Sequence, residues 1–428
     1  MGACMSIDED TMQIVCGPAK PTLRARRRML TQMLDAESKV ADILSKMPGR
    51  ICGNGSTLSS CAYSKQGRKG VNQDCMLIWE EYAAQSDTVF CGIFDGHGRN
   101  GHLVAKKVRD SLPVLLALPV KLLAEEYNKI DKEDATTDEY KLEDDNDEDF
   151  ESLAHDKTDK DTLCTLCNFN PAEDMAPMSK LSSEQWRVKL VGACRLMDRT
   201  LNVHPKIHCF ESGTTALTMV VQGETIVIGN VGDSRAVLGK RLSDGSVVAE
   251  QLTTDLKPNL PRELERIKRH KGRVFALCDE PGVARIWLPD SDMPGLAMAR
   301  ALGDFCLKDY GLSSVPQVCV RRLAVEDQFI VLATDGIWDV LSNDQVVAIV
   351  SSTSPKEKAA KALVDAAVRA WKVRYGSWRT DDCSAVCYFI KNKLTPTTSS
   401  TKQEHGLLQI EALGESSLQA ISVDVHTR

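Results

Sequence analysis

The 428-residue sequence lacks a long apolar run. Its longest nearly unbroken apolar stretch, residues 112–120, is interrupted by Pro113 and Pro119. A helix that spans a bilayer needs about 20 apolar residues, so this absence predicts a soluble chain. The first residues also lack the basic, apolar and small-residue segments of a secretory signal peptide, which argues against secretion.

Regularly spaced cysteines are absent too. The chain has 15 cysteines, an odd number without a repeating spacing, which is typical of reduced thiols in an intracellular protein. Cys164 and Cys167 form the single C-x-x-C pair, and no second pair completes a zinc site. The sequence therefore favours neither a disulfide framework nor structural zinc.

The chain has no broad excess of charge, although its formal net charge is −7. Residues 131–161 contain 15 acidic and 4 basic residues, whereas the rest of the chain has 49 basic and 45 acidic residues. This distribution gives no support for nucleic-acid binding. High charge without periodicity predicts that residues 131–161 form a disordered insertion outside the folded core.

Residues 1–55 are predicted to form an N-terminal arm. Gly2 with Ser6 fits the pattern for N-myristoylation, Cys4 is a candidate for palmitoylation, and residues 20–28 add a basic cluster. One myristoyl chain binds membranes only marginally, so these complementary features favour a lipid anchor at a membrane surface. The alternative is an unmodified flexible arm. We expect an intracellular protein, associated with the plasma membrane if lipidated and otherwise cytoplasmic or nuclear.

Residues 56–392 are predicted to be the folded body, followed by a flexible tail at 393–428. β-rich runs flank turns at Gln222-Gly223-Glu224 and Asp244-Gly245, which indicates hairpins. Helical periodicity occurs around residues 104–118, 186–202, 261–270, 344–350 and 357–374. Because hairpins outnumber crossover units, the pattern favours an α+β fold of antiparallel sheets covered by helices.

Several aspartates stand at the ends of strand-like runs in this body: Asp74, Asp95, Asp233, Asp335 and Asp381. A single Asp-Gly pair is a common turn, but five such positions in one body are unusual. Strand ends converge at a sheet edge, where gathered carboxylates repel one another unless cations neutralise them. Oxygen ligands favour Mg²⁺ or Mn²⁺ over zinc.

Two such ions about 3.5–4 Å apart would supply hydroxide near neutral pH and screen a phosphoryl group during in-line attack. His97 follows Asp95 on a glycine-rich turn and is a candidate general acid for the leaving oxygen. Arg68 and Lys69 are candidates for holding the substrate phosphate. The residues thus suggest hydrolysis of a phosphate ester.

Residues 96–101 also match the G-x-G-x-x-G pattern of a dinucleotide-binding turn. In that alternative Asp95 would lie against a pyrophosphate, and the expected series of strand–helix units does not follow. The pattern is therefore the weaker interpretation of this segment.

The chain resembles the metal-dependent protein serine/threonine phosphatases of type 2C, and the style of its motifs is similar to that of plant members. Six matching stretches occur in the family's order across about residues 60–392: Phe94-Asp95-Gly96-His97-Gly98, Ser212-Gly213-Thr214-Thr215-Ala216, Asn230-Val231-Gly232-Asp233-Ser234-Arg235-Ala236, Leu252-Thr253-Thr254-Asp255-Leu256-Lys257-Pro258, Leu296-Ala297-Met298-Ala299-Arg300-Ala301-Leu302-Gly303-Asp304 and Asp335-Gly336-Ile337-Trp338-Asp339.

The resemblance implies two packed antiparallel sheets flanked by helices and a centre of at least two Mg²⁺ or Mn²⁺ ions. By position, Asp95 would bridge the ions, and the Gly96 carbonyl, Asp335 and Asp381 would complete their ligands. Asp74 would act through coordinated water, and Asp233 and Asp339 would border a third ion. His97 would protonate the leaving seryl or threonyl oxygen of a phosphoprotein substrate, and a helical flap around residues 263–296 would shape access. We expect a monomer.

Two departures from the family pattern open an alternative. Lys69 stands where the family has a phosphate-binding arginine, and Gln73 stands where many members have a carboxylate. A non-catalytic scaffold of the same fold, tethered to a membrane, is therefore the competing hypothesis. The family's Asp-Asn pair falls on Asp381 and Asp382, with Asp381 favoured as the ligand.

Overall fold

A computed structural model describes residues 49–128 and 181–390. The lipidation candidates Gly2 and Cys4, the acidic segment 131–161, the C-x-x-C pair and the tail 393–428 lie outside these residues. Predictions about them stay predictions. Within the described residues, strand β1 pairs with β4 through Arg50 opposite Trp79, so folded structure begins inside the predicted arm 1–55.

The described strands are β1 Arg50–Ile51, β2 Gly55–Ser56, β3 Ser60–Lys65, β4 Asp74–Glu80, β5 Thr88–Gly98, β6 Ser212–Thr214, β7 Ala216–Gln222, β8 Thr225–Val231, β9 Arg235–Arg241, β10 Val247–Gln251, β11 Arg273–Ala276, β12 Ala284–Leu288, β13 Ser291–Leu296, β14 Leu302–Gly303, β15 Gln317–Arg322, β16 Asp327–Ala333 and β17 Cys383–Phe389. The hairpins predicted around Gly223 and Gly245 are confirmed as β7–β8 and β9–β10.

The α-helices are α1 Gly101–Ala117, α2 Val120–Tyr127, α3 Ser183–Asn202, α4 Pro261–Arg269, α5 Phe305–Lys308, α6 Asp335–Trp338, α7 Asn343–Ser352 and α8 Ala359–Tyr375. Helices α3 and α7 begin with capping boxes, in which Ser182 and Ser342 exchange hydrogen bonds with the glutamine three residues later. In the described part of the chain, no helix combines the length and apolarity needed to cross a bilayer.

Two large antiparallel sheets form the body. One has the order β1-β4-β5-β7-β8-β15, with β6 joined to β5 and β14 joined to β6, and the other has the order β10-β9-β16-β17-β3-β2. All strand pairings among the described residues are antiparallel. The predicted α+β fold is confirmed, whereas the parallel sheet that the dinucleotide-binding alternative requires is absent from the described residues.

Both faces of each large sheet are apolar, because one face packs against the other sheet and the opposite face packs against helices. On β16, Ile330 and Leu332 pack between the sheets, while Phe329 and Val331 pack on the other face among residues of α7 and α8. On β5, Ile93 faces the other sheet and Phe94 faces α1 and α3. This alternation follows from the two-residue period of a strand and gives four layers, helices outside and sheets inside.

The flap that the resemblance implied to be helical is mostly β structure, so that expectation was wrong. Only α4 is helical, and it is followed by the three-stranded antiparallel sheet β11-β12-β13. Phe275 stacks on Trp287 across β11 and β12, with ring centroids 4.9 Å apart. Aromatic residues on short extended segments explain why strands replace the expected helix.

Candidate active site

The predicted carboxylates gather where strands of the two large sheets end. Asp74 begins β4 and lies directly opposite Asp95 of β5 in the antiparallel register. Thr334, which directly follows β16 of the other sheet, donates a hydrogen bond of 3.0 Å from its hydroxyl to Asp74 Oδ2. The edge of one sheet thus contacts the end of the other at these aspartates.

The remaining aspartates complete the cluster from neighbouring strand ends. Asp335 begins α6 directly after β16, and Asp381 lies just before β17, which pairs with β16. Asp335, Asp74, Asp233 and Asp381 all act electrostatically on Asp95, and Asp339 acts on Asp335. The structure therefore brings all six predicted side-chain ligands together.

This concentration of like charge has electrostatic consequences. Burial, followed by the neighbouring Asp335 carboxylate, raises the pKa of Asp95 well above its ordinary value. Burial and the neighbouring Asp233 raise the pKa of Asp335 in the same way. Burial raises the pKa of Asp74 to about 7, although the hydroxyl of Thr334, which donates to Oδ2, acts to lower it. The fully ionised cluster is therefore costly without a compensating cation.

The structure separates the roles of the two adjacent aspartates before β17. Asp382 accepts hydrogen bonds from the backbone amides of Gly67, at 2.7 Å, and Gln73, at 2.8 Å. Those bonds hold the loop that leads into β4. Asp381 acts electrostatically on Asp335 and Asp95, whereas Asp382 acts on Asp74 more strongly than Asp381 does.

Two lysine ammonium groups already contact the cluster. Lys69, predicted to bind phosphate, forms an ion pair with Asp381. Lys257, which sequence reasoning left without a role, forms an ion pair with the buried Asp233. Each lysine places one positive charge beside a predicted metal ligand. Arg68, the other phosphate candidate, is exposed, and its backbone amide donates to the Thr380 carbonyl.

The donor set fits a hard divalent ion in its chemistry. Asp74 Oδ1 and Asp233 Oδ1 are buried oxygens without a hydrogen-bond donor among the described residues. Buried oxygens without a partner are uncommon and are expected where an ion or ordered water binds. However, across residues 49–128 and 181–390, no group of three or more Asp, Glu, His or Cys side chains is arranged to hold an ion unaided.

His97 lies beside this cluster and forms a dyad that sequence reasoning missed. Its Nε2 is 2.6 Å from Oδ2 of the buried Asp304. Asp304 ends one of the six stretches that match the family pattern, but the resemblance implied no role for it. Burial acts to lower the pKa of His97, but the carboxylate of Asp304 outweighs it and raises the pKa above its ordinary value. His97 and Asp304 are 207 positions apart in the sequence, so a local sequence motif cannot reveal that their side chains are in contact.

A cavity opens beside Asp339 with a volume of about 540 Å³. Arg235 lines it, stacks over the Trp338 ring at 4.9 Å from the centroid, and is held by Asp255 through two hydrogen bonds of 2.9 and 2.6 Å. Arg374 also lines the cavity and donates to the Asp339 carbonyl at 2.9 Å. The cluster is therefore next to a space large enough for part of a peptide.

Comparison with known proteins places these features in context. The family model described as "Protein phosphatase 2C" matches residues 171–372. The chain is 45% identical over 417 residues to "Probable protein phosphatase 2C 33" of Arabidopsis thaliana, covering 95% of this chain and 84% of that protein. It is 48% identical over 355 residues to "Probable protein phosphatase 2C 66" of Oryza sativa subsp. japonica, covering 82% of this chain and 63% of that protein.

A solved structure supports the fold. The chain is similar to a serine-threonine phosphatase 2C from Toxoplasma gondii, with a TM-score of 0.60 and 22% identity, over 81% of this chain and 100% of that one. At this identity the likeness concerns the architecture of the sheets and helices. The sequence relationship to the family is shown by the two plant proteins, which are 45% and 48% identical to this chain.

Proposed function

The chain belongs to the protein phosphatase 2C family and is a protein phosphatase, and from this premise we propose that it hydrolyses phosphoserine and phosphothreonine in proteins, with Mg²⁺ or Mn²⁺ at the aspartate cluster and His97 as general acid. The observation that carries this proposal is the convergence of Asp74, Asp95, Asp335 and Asp381, together with the buried Oδ1 atoms of Asp74 and Asp233, which find no donor in the described part of the chain. Ionising the whole cluster at neutral pH is costly unless cations compensate it.

Asp95, the Gly96 carbonyl, Asp335 and Asp381 would hold the ions, with Asp74, Asp233 and Asp339 around them. Because no three side chains of the described segments suffice alone, water and backbone oxygen would complete the coordination. When bound, the ions lower the pKa of water and screen the charge of the phosphoryl group.

The protein's own groups perform the rest of the reaction. Lys69, which lies beside Asp381, supplies a point charge for a phosphate oxygen through its remaining N–H donors. His97 delivers a proton to the seryl or threonyl oxygen as its bond to phosphorus breaks. The cavity beside Asp339, with Arg235 and Arg374 at its walls, gives the peptide a place next to the cluster.

The proposal is tested by turnover of phosphoserine and phosphothreonine peptides with and without Mg²⁺ or Mn²⁺. We expect hydrolysis only with the ion, and the substitution Asp335→Ala should abolish it. A phosphotyrosine peptide is the specificity control. Hydrolysis that survives EDTA at an unchanged rate would refute the metal-dependent mechanism.

Two structural observations favour the competing scaffold hypothesis. Lys69 is engaged by Asp381, and the Gln73 side-chain oxygen is buried without a donor among the described residues. If these departures disable the site, wild-type turnover should be near zero and should rise strongly in the double substitution Lys69→Arg with Gln73→Glu. Substantial wild-type turnover would rule out the scaffold.

We further propose that the N-terminal arm attaches the enzyme to a membrane through lipid groups on Gly2 and Cys4. The support is the sequence pattern alone, since the arm lies outside the described residues. Fractionation of cells that express wild-type protein or the Gly2→Ala variant tests this proposal. We expect the variant to leave the membrane fraction, and unchanged membrane association would contradict myristoylation.

A further inference from the structure

Three separate sequence motifs meet at His97. Strand β5 ends with His97, β6 contains Gly213 directly opposite it, and β14 places Gly303 opposite Gly213 on the other side. Asp304 follows β14 and reaches back across β6 to His97 Nε2 at 2.6 Å. The three short pairings therefore set the position of one carboxylate relative to one imidazole.

Gly213 leaves the space through which this contact is made. A Cβ atom at residue 213 would lie 2.0 Å from Asp304 Oδ2 and 2.7 Å from the Leu302 carbonyl oxygen. Neither separation is possible for real atoms, so any larger residue would displace the carboxylate or the strand. The contact between His97 and Asp304 thus explains why residue 213 is a glycine.

Asp304 is itself held in an unusual backbone conformation. Its φ of 52° and ψ of 50° lie in the left-handed region, which costs a non-glycine residue about 1 kcal/mol. Its backbone amide donates to the Ser212 carbonyl at 3.1 Å, and the preceding Gly303 amide donates to Asp198 Oδ1 at 2.8 Å. The surrounding contacts thus fix a conformation that the residue alone would avoid.

We propose that Asp304 is the positioning residue for the general acid, an inference that rests on the proposed function. It accepts the Nε2–H of His97 and so fixes the orientation of the ring. Nδ1, which is buried and has no partner among the described residues, is then the nitrogen that carries the transferable proton. As water attacks phosphorus and the ester P–O bond breaks, the leaving oxygen takes the proton from Nδ1, and a proton released by the attacking water restores it.

This role predicts a dependence on the leaving group. A seryl or threonyl oxygen needs a proton as it departs, whereas the stable anion released from p-nitrophenyl phosphate does not. Asp304→Asn should therefore lower kcat on a phosphothreonine peptide about tenfold to a hundredfold and lower kcat on p-nitrophenyl phosphate less than about threefold. A residue needed only for folding would lower both rates alike.

The experiment measures kcat on both substrates, with saturating Mn²⁺, for wild type, Asp304→Asn, His97→Gln and the double variant. The double variant should be no slower on the peptide than His97→Gln, because Asp304 acts through His97. Asp309→Asn, the same change on an exposed residue five positions away, is the matched control and should leave both rates unchanged. Thermal unfolding and Mn²⁺ binding should match wild type for all variants.

Three results would overturn the inference: equal losses on the two substrates, multiplied losses in the double variant, or a full peptide rate in Asp304→Asn. If Asp304→Asn fails to fold, Asp304→Glu takes its place, because it keeps the carboxylate but displaces it. Its kcat is measured on the same two substrates and judged by the same criteria. A wild-type protein that cleaves neither substrate with Mn²⁺ would instead refute the proposed function itself, and the role of Asp304 with it.

Discussion

At the scale of single residues, the site depends as much on side chains that are missing as on those present. Gly213 admits the Asp304 carboxylate, and Gly96 leaves room against the carbonyl oxygens of Gly101 and Gln73, which would lie 2.4 and 2.8 Å from a Cβ atom. Neither glycine has a side chain that could react or bind an ion. They determine how closely the motifs approach each other.

Gly213→Ala should lower peptide hydrolysis at least about tenfold, because the added methyl group displaces Asp304 and through it His97. Steady-state kinetics on a phosphothreonine peptide checks this. Gly282→Ala is the matched control, since a Cβ atom at residue 282 meets nothing within 4 Å. Wild-type activity in Gly213→Ala would show that the space left by this glycine is not needed.

The aspartates could be identified from sequence because each one follows or precedes an apolar strand, a local signal. The contacts of Asp304 with His97 and of Lys257 with Asp233 could not, since they join distant segments through the sheet register. Both residues lie inside motifs that the resemblance singled out. The residues were therefore visible in the sequence, while their partners required the fold.

At the scale of elements, the flap is joined to the body by buried charge. Glu263 of α4 forms ion pairs of 2.7 Å with Arg266 and 2.6 Å with Arg300, and all three are nearly inaccessible to water. Arg300 also donates to the Val315 carbonyl at 3.0 Å. This network connects the flap helix to the segment that leads into β14 and Asp304.

Glu263→Gln should therefore destabilise the protein by about 3 kcal/mol at pH 7, because it leaves two buried guanidinium groups undercompensated. Although burial acts to raise it, Arg300 and Arg266 lower the pKa of Glu263. A lowered folded-state pKa gives stability that is complete above the unfolded-state value and is lost as the pH falls through the folded-state value. The difference from wild type should thus shrink in acid.

Urea unfolding of wild type and Glu263→Gln at pH 7 and near pH 4 measures this difference. Glu265→Gln, on the exposed face of the same helix, is the control and should change stability little. An equal effect of Glu263→Gln at both pH values would mean that the ionised pair is not what stabilises the junction.

The elements themselves were predictable to different degrees. The β7–β8 hairpin has apolar runs on both sides of a Gly-containing turn, and its signal is entirely local. The flap sheet was not foreseen, since β11 has four residues and β13 contains Pro294 and Gly295, which weaken a strand pattern. Packing of Phe275 against Trp287 supplies the missing stabilisation.

At the scale of the whole molecule, the two sheets bring carboxylates together at a cost that depends on pH. The pKa of Asp74 is raised by burial to about 7, and those of Asp95 and Asp335 lie well above their ordinary values. Between the unfolded-state and folded-state pKa values the native protein binds more protons than the unfolded chain. The stability of the metal-free protein must then fall as the pH rises through this range.

We expect Asp74 alone to cost the metal-free protein about 3 kcal/mol of unfolding free energy between pH 5 and pH 8, and Asp95 and Asp335 to add to this loss. Mg²⁺ or Mn²⁺ should remove this loss, so that stabilisation by the ion grows with pH. Denaturant unfolding with EDTA or with saturating ion, at each pH, provides the comparison. Ion stabilisation that is the same at pH 5 and pH 8 would contradict the electrostatic account.

The most direct test of the aspartate cluster is a single titration of metal-free enzyme with Mn²⁺, in which free Mn²⁺ is followed by electron paramagnetic resonance and phosphopeptide turnover is measured in the same samples. We predict that turnover rises with the amount of bound Mn²⁺ and that Asp95→Asn loses both tight binding and turnover. Turnover that is complete before any Mn²⁺ binds, or an Asp95→Asn variant that binds and turns over like wild type, would contradict the account.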